Sequence, residues 1–168
     1  MYELKPLHPR AIPAALEKAH RYRLLNEPVE AESICLDVLD LEPENEQALV
    51  TLVLALSDQL GRHVAGTFER ARAVAARMSD EYDREYYAGV LCERWGKAQF
   101  RRGTPAAGAM AYDWLVQAMG HFDRAQALSP PDNDDAILRW NACARFIDRH
   151  PQVAPEPEVP WSPQPFLE

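Results

Sequence analysis

The sequence predicts an all-α protein, and three observations carry that prediction. Apolar residues recur at three- and four-residue spacing in seven successive segments. Prolines, glycines and acidic residues fall between those segments, where helices start and stop. No segment alternates strictly between apolar and polar residues, and Gly-rich hairpin signals are missing, so nothing reads as a half-buried strand.

The first helix is expected over residues 12–25, where Ala15, Leu16, Ala19 and Tyr22 share a face. Pro13 is tolerated in its first turn because that N–H needs no intrahelical partner. Pro28 opens a second helix, with Ala31, Ile34, Cys35, Val38 and Leu39 on the buried side, and Pro43 stops it. A third, residues 46–60, places Leu49, Leu52, Val53 and Leu56 on one stripe and adds Val50 and Leu54 opposite, which suits a central helix covered on both flanks. After Gly61 a fourth is expected over residues 64–78 around Phe68, Ala71, Val74 and Ala75, with Ser79 and Asp80 as caps for the next.

The fifth, residues 81–102, aligns Tyr87, Leu91, Trp95 and Ala98, and Gly103 sits where a C-terminal cap belongs. The sixth, residues 105–128, carries Met110, Trp114, Leu115, Val116, Ala118, Met119 and Phe122 around much of its circumference. The seventh starts at an acidic run, residues 132–135, which favours the positive end of a helix. It turns Ile137, Trp140, Ala144 and Ile147 inward and ends near His150.

The totals restrict the function classes. A chain of 168 residues with 47% apolar and 26% charged residues has the composition of a folded globule, and its length suits one domain or one short array. The net charge of −8 opposes binding to phosphate backbones, which depends on cationic neutralisation. Cys35, Cys92 and Cys143 are odd in number, far apart and set in apolar helical contexts, so buried thiols are expected rather than disulfides. Residues 1–10 lack the apolar run of a signal peptide, and no apolar stretch is long enough to span a bilayer, so a cytoplasmic location is the expectation.

Internal repetition narrows the fold further. The run Asn26-Glu27-Pro28-Val29-Glu30-Ala31, then Cys35, Val38 and Pro43, resembles the second helix of a tetratricopeptide repeat (TPR), and its ending recurs as Phe122, Ala125 and Pro130. Residues 95–103, beginning Trp95-Gly96-Lys97-Ala98, are similar to the first helix of such a repeat, with Phe100 one place from the usual aromatic. Trp140-Asn141 followed by Ala144 looks like a further copy without its second helix, as a capping helix would be.

The resemblance covers residues 12–149 and is degenerate. From Pro43 to Pro130 is 87 positions, against about 68 for two repeats of roughly 34, so about 19 residues are extra. They are expected at the starts of the fifth and sixth helices. The second repeat also lacks its closing proline, running through Ala75, Ala76 and Arg77 instead. The resemblance implies a right-handed α-α superhelix of about three helical hairpins plus a capping helix over residues 11–150. Residues 1–10 form an N-terminal extension and residues 151–168 a Pro-rich acidic tail.

In that family the first helices of successive hairpins line a concave surface that holds peptides. The residues such stacking would turn inward are Glu17 and His20 on the first helix, and Gln47, Thr51 and Asp58 on the third. The fifth supplies Arg94, Lys97 and Arg101, and the seventh Asp135 and Arg139. Arg94, Lys97 and Arg101 lie three and four residues apart, on one stripe, and with Arg139 and Arg145 make a positive patch on an acidic chain. Such a patch suits an acidic peptide or protein partner, since Arg grips carboxylates bidentately. The plainer alternative is a solvated face with local pairs such as Glu93 to Lys97.

Residues 151–168 contain six prolines, three acidic residues and no Lys or Arg, with Val159, Trp161, Phe166 and Leu167 as apolar anchors. This segment reads as an extended polyproline-like strand, expected to lie against the helices with Trp161 and Phe166 inserted between them, in its own chain or a neighbour's.

Signatures of chemistry are sparse. Gly89 to Lys97 has two glycines enclosing six residues instead of four, and Ala98 stands where a phosphate loop needs a hydroxyl. Gly96 is better explained as a site of close helix packing. The five histidines, His8, His20, His63, His121 and His150, form no metal-ligand pattern, so neither metal nor cofactor is expected. No nucleophile elbow or Cys–His pair is present. Tyr86, Tyr87, Trp95 and Trp114 fall at the helical spacing of core residues. The expectation is a non-enzymatic adaptor or chaperone-like binder. Two readings stand beside it: a small enzyme with a site around His20, Glu17 and Arg94, and a self-assembling repeat protein paired through its tail or last helix.

Overall fold

A computed structural model describes residues 2–61 and 66–156. Within them the fold is all-α, with seven α-helices, one 3-10 turn at Pro9–Ala11 and no strand. The helices are α1 (Ile12–Leu24), α2 (Pro28–Leu41), α3 (Glu46–Asp58), α4 (Thr67–Ala75), α5 (Glu81–Arg101), α6 (Ala107–Leu128) and α7 (Asp135–Arg149). The anticipated positions of Val159, Trp161, Phe166 and Leu167, and the anticipated start of the fourth helix at Val64, fall outside the described residues.

Local chemistry sets the boundaries. Asn45 caps α3 by accepting from the Ala48 N–H at 2.9 Å, and Asp80 caps α5 by accepting from the Tyr82 N–H at 2.7 Å. Gly103, at φ 66°, supplies the left-handed residue just beyond the α5 C-cap. Several details at the helix ends differ from expectation, among them the end of α3 at Asp58 rather than Leu60 and the start of α6 at Ala107 rather than Pro105. The fourth helix ends at Ala75 rather than Met78, because the Arg77 and Met78 N–H groups bond three residues back and tighten the chain before Asp80 opens α5. The N-cap of α7, Asp134, makes no side-chain cap bond, and Asn133 Oδ1 instead accepts from the Asp135 N–H at 3.0 Å.

Consecutive helices pack on one another, and each odd-numbered helix also touches the next odd-numbered one: α1 on α3, α3 on α5, α5 on α7. Named contacts fix the directions. Gly89 opposes Phe122 while Gly96 opposes Ala111 and Trp114, so α5 and α6 run antiparallel. Arg139 reaches Glu93 while Phe146 meets Phe100, an identical sequence offset, so α7 runs parallel to α5.

The long α5–α6 hairpin depends on glycine. A Cβ at Gly96 would fall 2.9 Å from the Trp114 Cβ and 3.2 Å from the Ala111 carbonyl, and one at Gly89 would fall 2.6 Å from the Phe122 ring. Both glycines face α6, which answers with Ala111, Leu115, Ala118, Phe122 and Ala125, all buried. Gly96 thus serves the close packing expected of it. This pair is long, at 21 and 22 residues.

Two apolar clusters form the core. One gathers α1 to α4 with Leu91 of α5; the other joins Val90 and Cys92 of α5 with α6, α7 and Val153. Successive α5 residues therefore serve both clusters, and Phe68 of α4 ties them together by stacking on Trp95 and meeting Trp114 edge-on.

Candidate functional site

The contact of α1, α3, α5 and α7 in series brings one charged side chain or more from each into a common groove of about 800 Å³. Arg23 comes from the last turn of α1, and Ser57 and Asp58 from the last turn of α3. Glu93, Arg94, Lys97 and Arg101 come from α5 and Arg139 from α7. Leu24 and Leu60 add apolar wall. Five cations face two carboxylates, which leaves a formal excess of three positive charges in a chain whose net charge is −8.

Each carboxylate is shared by two cations. Asp58 accepts from Arg23 Nε at 2.9 Å through one oxygen and from Arg94 Nη1 through the other. The same Arg94 nitrogen donates to Ser57 Oγ at 2.7 Å. Glu93 accepts from Lys97 Nζ at 2.6 Å and from Arg139 Nη1 at 3.2 Å. Its side chain is only 4% exposed, and a carboxylate so far from water is tolerated because two cations offset its desolvation. Burial works against the charge on Arg139, but the Glu93 carboxylate and Tyr86 hold its pKa above the ordinary guanidinium value. The Lys97 ammonium also lies 5.2 Å from the centre of the Phe146 ring. These bonds hold four cations in place and leave donors over. Arg101 is exposed and makes no ion pair or hydrogen bond among the described residues.

The structure brings together Asp58, Arg94, Lys97, Arg101 and Arg139 of the ten residues expected to line a binding surface. The others lie elsewhere. Thr51 is 7% exposed and packed in the core, because α3 is covered on every side at that level. Gln47 is exposed at the opposite end of α3 from Asp58, about 16 Å along the axis at 1.5 Å per residue. Glu17 and His20 are exposed on α1 but do not line the groove, and no hydrogen bond joins them. Arg145 is six residues from Arg139, which turns it to another face of α7, and Asp135 is exposed outside the groove.

Arg23 and Ser57 escaped the sequence reading. Their signal was weak: Arg23 follows His20 by one turn and Ser57 precedes Asp58, but the partner that singles them out is on another helix. Glu93 was read only as a local partner of Lys97. That pair exists, and the same carboxylate also reaches α7.

The three cysteines are buried, and burial pushes Cys35 and Cys143 up to about 12 and Cys92 to about 11, which keeps them as thiols. Among the described residues no cluster of His, Cys, Asp or Glu could hold a metal ion, and no helix is long and apolar enough to cross a membrane. Comparison with protein-family models, curated proteins and solved structures returned no match.

Proposed function

We propose that this chain is a TPR-like protein-interaction module whose groove, lined by α1, α3, α5 and α7, binds an acidic peptide segment of a partner protein. The observation that carries the reading is the sign of the groove: five cations against two carboxylates on an otherwise acidic chain. Odd-numbered helices touching in series, with even-numbered helices packed between them in sequence, support a stacked-hairpin reading, and the groove crosses those odd helices. Asp58 and Glu93 hold the cations in fixed positions, so a carboxylate ligand meets donors already ordered, which lowers the entropy cost of binding.

The test is a titration of a labelled peptide rich in Glu and Leu, followed by fluorescence anisotropy, against the wild-type chain and Arg101→Glu. Arg101 makes no internal pair among the described residues, so its reversal removes attraction without disturbing the fold. Weakening by about tenfold or more, shrinking as salt is raised, is the expected result. Equal affinity in both chains would remove the groove as the binding surface.

A further inference from the structure

The chain carries a segment of its own whose chemistry complements the groove. After α7 the backbone turns onto the start of α6. The Val153 N–H donates to the His150 carbonyl at 2.7 Å, Val153 is buried, and the Gln152 carbonyl sits so close to Gly108 that a Cβ there would collide with it. Ala154 and Pro155 then lie beside Phe100 and Gly103. Phe100 is next to Arg101 and one turn beyond Lys97, so Pro155 lies beside the C-terminal end of the helix that bears three of the groove's cations, and the exposed Glu156 follows it.

The next twelve residues, 157–168, contain Glu158 and Glu168, no Lys or Arg, and the apolar Trp161, Phe166 and Leu167. Acid beside large apolar groups is what a cationic groove edged by Leu24 and Leu60 would select. Reach is ample: twelve residues cover about 37 Å at a polyproline rise of ~3.1 Å, whereas Arg101 to Arg94 spans only about 10 Å of helix.

We propose that residues 157–168 occupy the groove of their own chain at rest, with Glu158 against the cations of α5, so that an outside partner must displace them. This rests on the groove being an acidic-peptide site, as proposed above. A tethered segment competes at an effective concentration of order 1 mM, so even a tail affinity of about 0.1 mM would weaken an outside peptide roughly tenfold.

The experiment uses three full-length chains and the same labelled Glu- and Leu-rich peptide. One is wild type, and the second carries Glu156→Lys, Glu158→Lys and Glu168→Lys. The third carries Glu30→Lys, Asp40→Lys and Glu44→Lys, which reverse as many exposed charges on and just after α2, outside the groove. The tail-reversed chain is expected to bind about tenfold more tightly than either of the others. Equal affinity of the two reversed chains would overturn self-occupancy and leave the groove reading intact. Failure of all three to bind would sink the groove reading and self-occupancy with it. Dimeric mass for wild type alone, with the gain growing at higher protein concentration, would assign the groove to a neighbour's tail and overturn occupancy in cis.

Discussion

Asp58 receives Arg23 on one carboxylate oxygen and Arg94 on the other, so a single side chain at the end of α3 joins the helices on either side of it. Asp58 is 24% exposed, Arg23 13% and Arg94 27%, so water screens the pairs only in part. Asp58→Ala is therefore expected to cost about 1–3 kcal/mol, more than an exposed pair contributes, read as a lower urea midpoint. Arg23→Ala in the Asp58→Ala background should then cost clearly less than in wild type, because its partner is already gone.

Glu93 joins α5 to α7 through Arg139 and is nearly inaccessible. In Glu93→Gln, Lys97 and Arg139 lose their shared anion but keep some contact with water, at 26% and 35% exposure. Destabilisation of about 2–3 kcal/mol is expected, below the full cost of stranding a buried charge. Near-ultraviolet dichroism should report loosening around Phe146 and Trp140.

Glycines in the long hairpin should respond with opposite signs. Gly96→Ala meets the Trp114 Cβ and a backbone oxygen, neither of which can swing away, so overpacking of about 1–3 kcal/mol exceeds the roughly 1 kcal/mol gained in helix propensity. At Gly120 a Cβ would meet only the end of Arg124, at 3.7 Å, so Gly120→Ala should stabilise by about 0.5–1 kcal/mol. Thermal melts of the two variants decide this.

Glu85 supplies a pH dependence. Burial alone would raise its pKa, but hydrogen bonds from His121 and Arg124 hold it below the ordinary carboxylate value. A depressed folded-state pKa means stability present above the unfolded pKa and lost as pH falls through the folded one. Glu85→Gln should therefore be less stable than wild type at neutral pH, and the gap should close as the medium is acidified below the carboxylate range. A gap that stays constant down to acid pH would contradict the ion-pair origin.

The thiols offer a test of burial. With Cys35 and Cys143 held near 12 and all three side chains inaccessible, an aromatic disulfide reagent at pH 8 should find none of them in the native protein. It should find all three in denaturant, and the native reaction should proceed at the rate of unfolding.

Much of the architecture was legible because it is local. Pro28 at the head of α2, Asp80 as a cap, and Gly103 beyond α5 act on the few residues beside them, and the spacing of Leu49, Leu52, Val53 and Leu56 depends only on the turn of a helix. The stripe of Arg94, Lys97 and Arg101 was visible for that same reason, and all three do line the groove. Thr51 was not legible as a core residue, since its polarity says nothing about the helices that enclose it.

The sequence by itself determined that the described residues form seven helices, where most of them begin, and that α5 bears a cationic stripe. Only the tertiary structure decided that Arg23 and Arg94 share Asp58, that Glu93 spans to Arg139, and that Glu17, His20 and Arg145 stand apart from the groove. Helix formation follows from interactions within about four residues, whereas these pairings join residues 35, 36 and 46 positions apart. Their distances are set by how neighbouring helices are shifted and rotated against one another, which side-chain packing between helices decides and no interaction within one helix can.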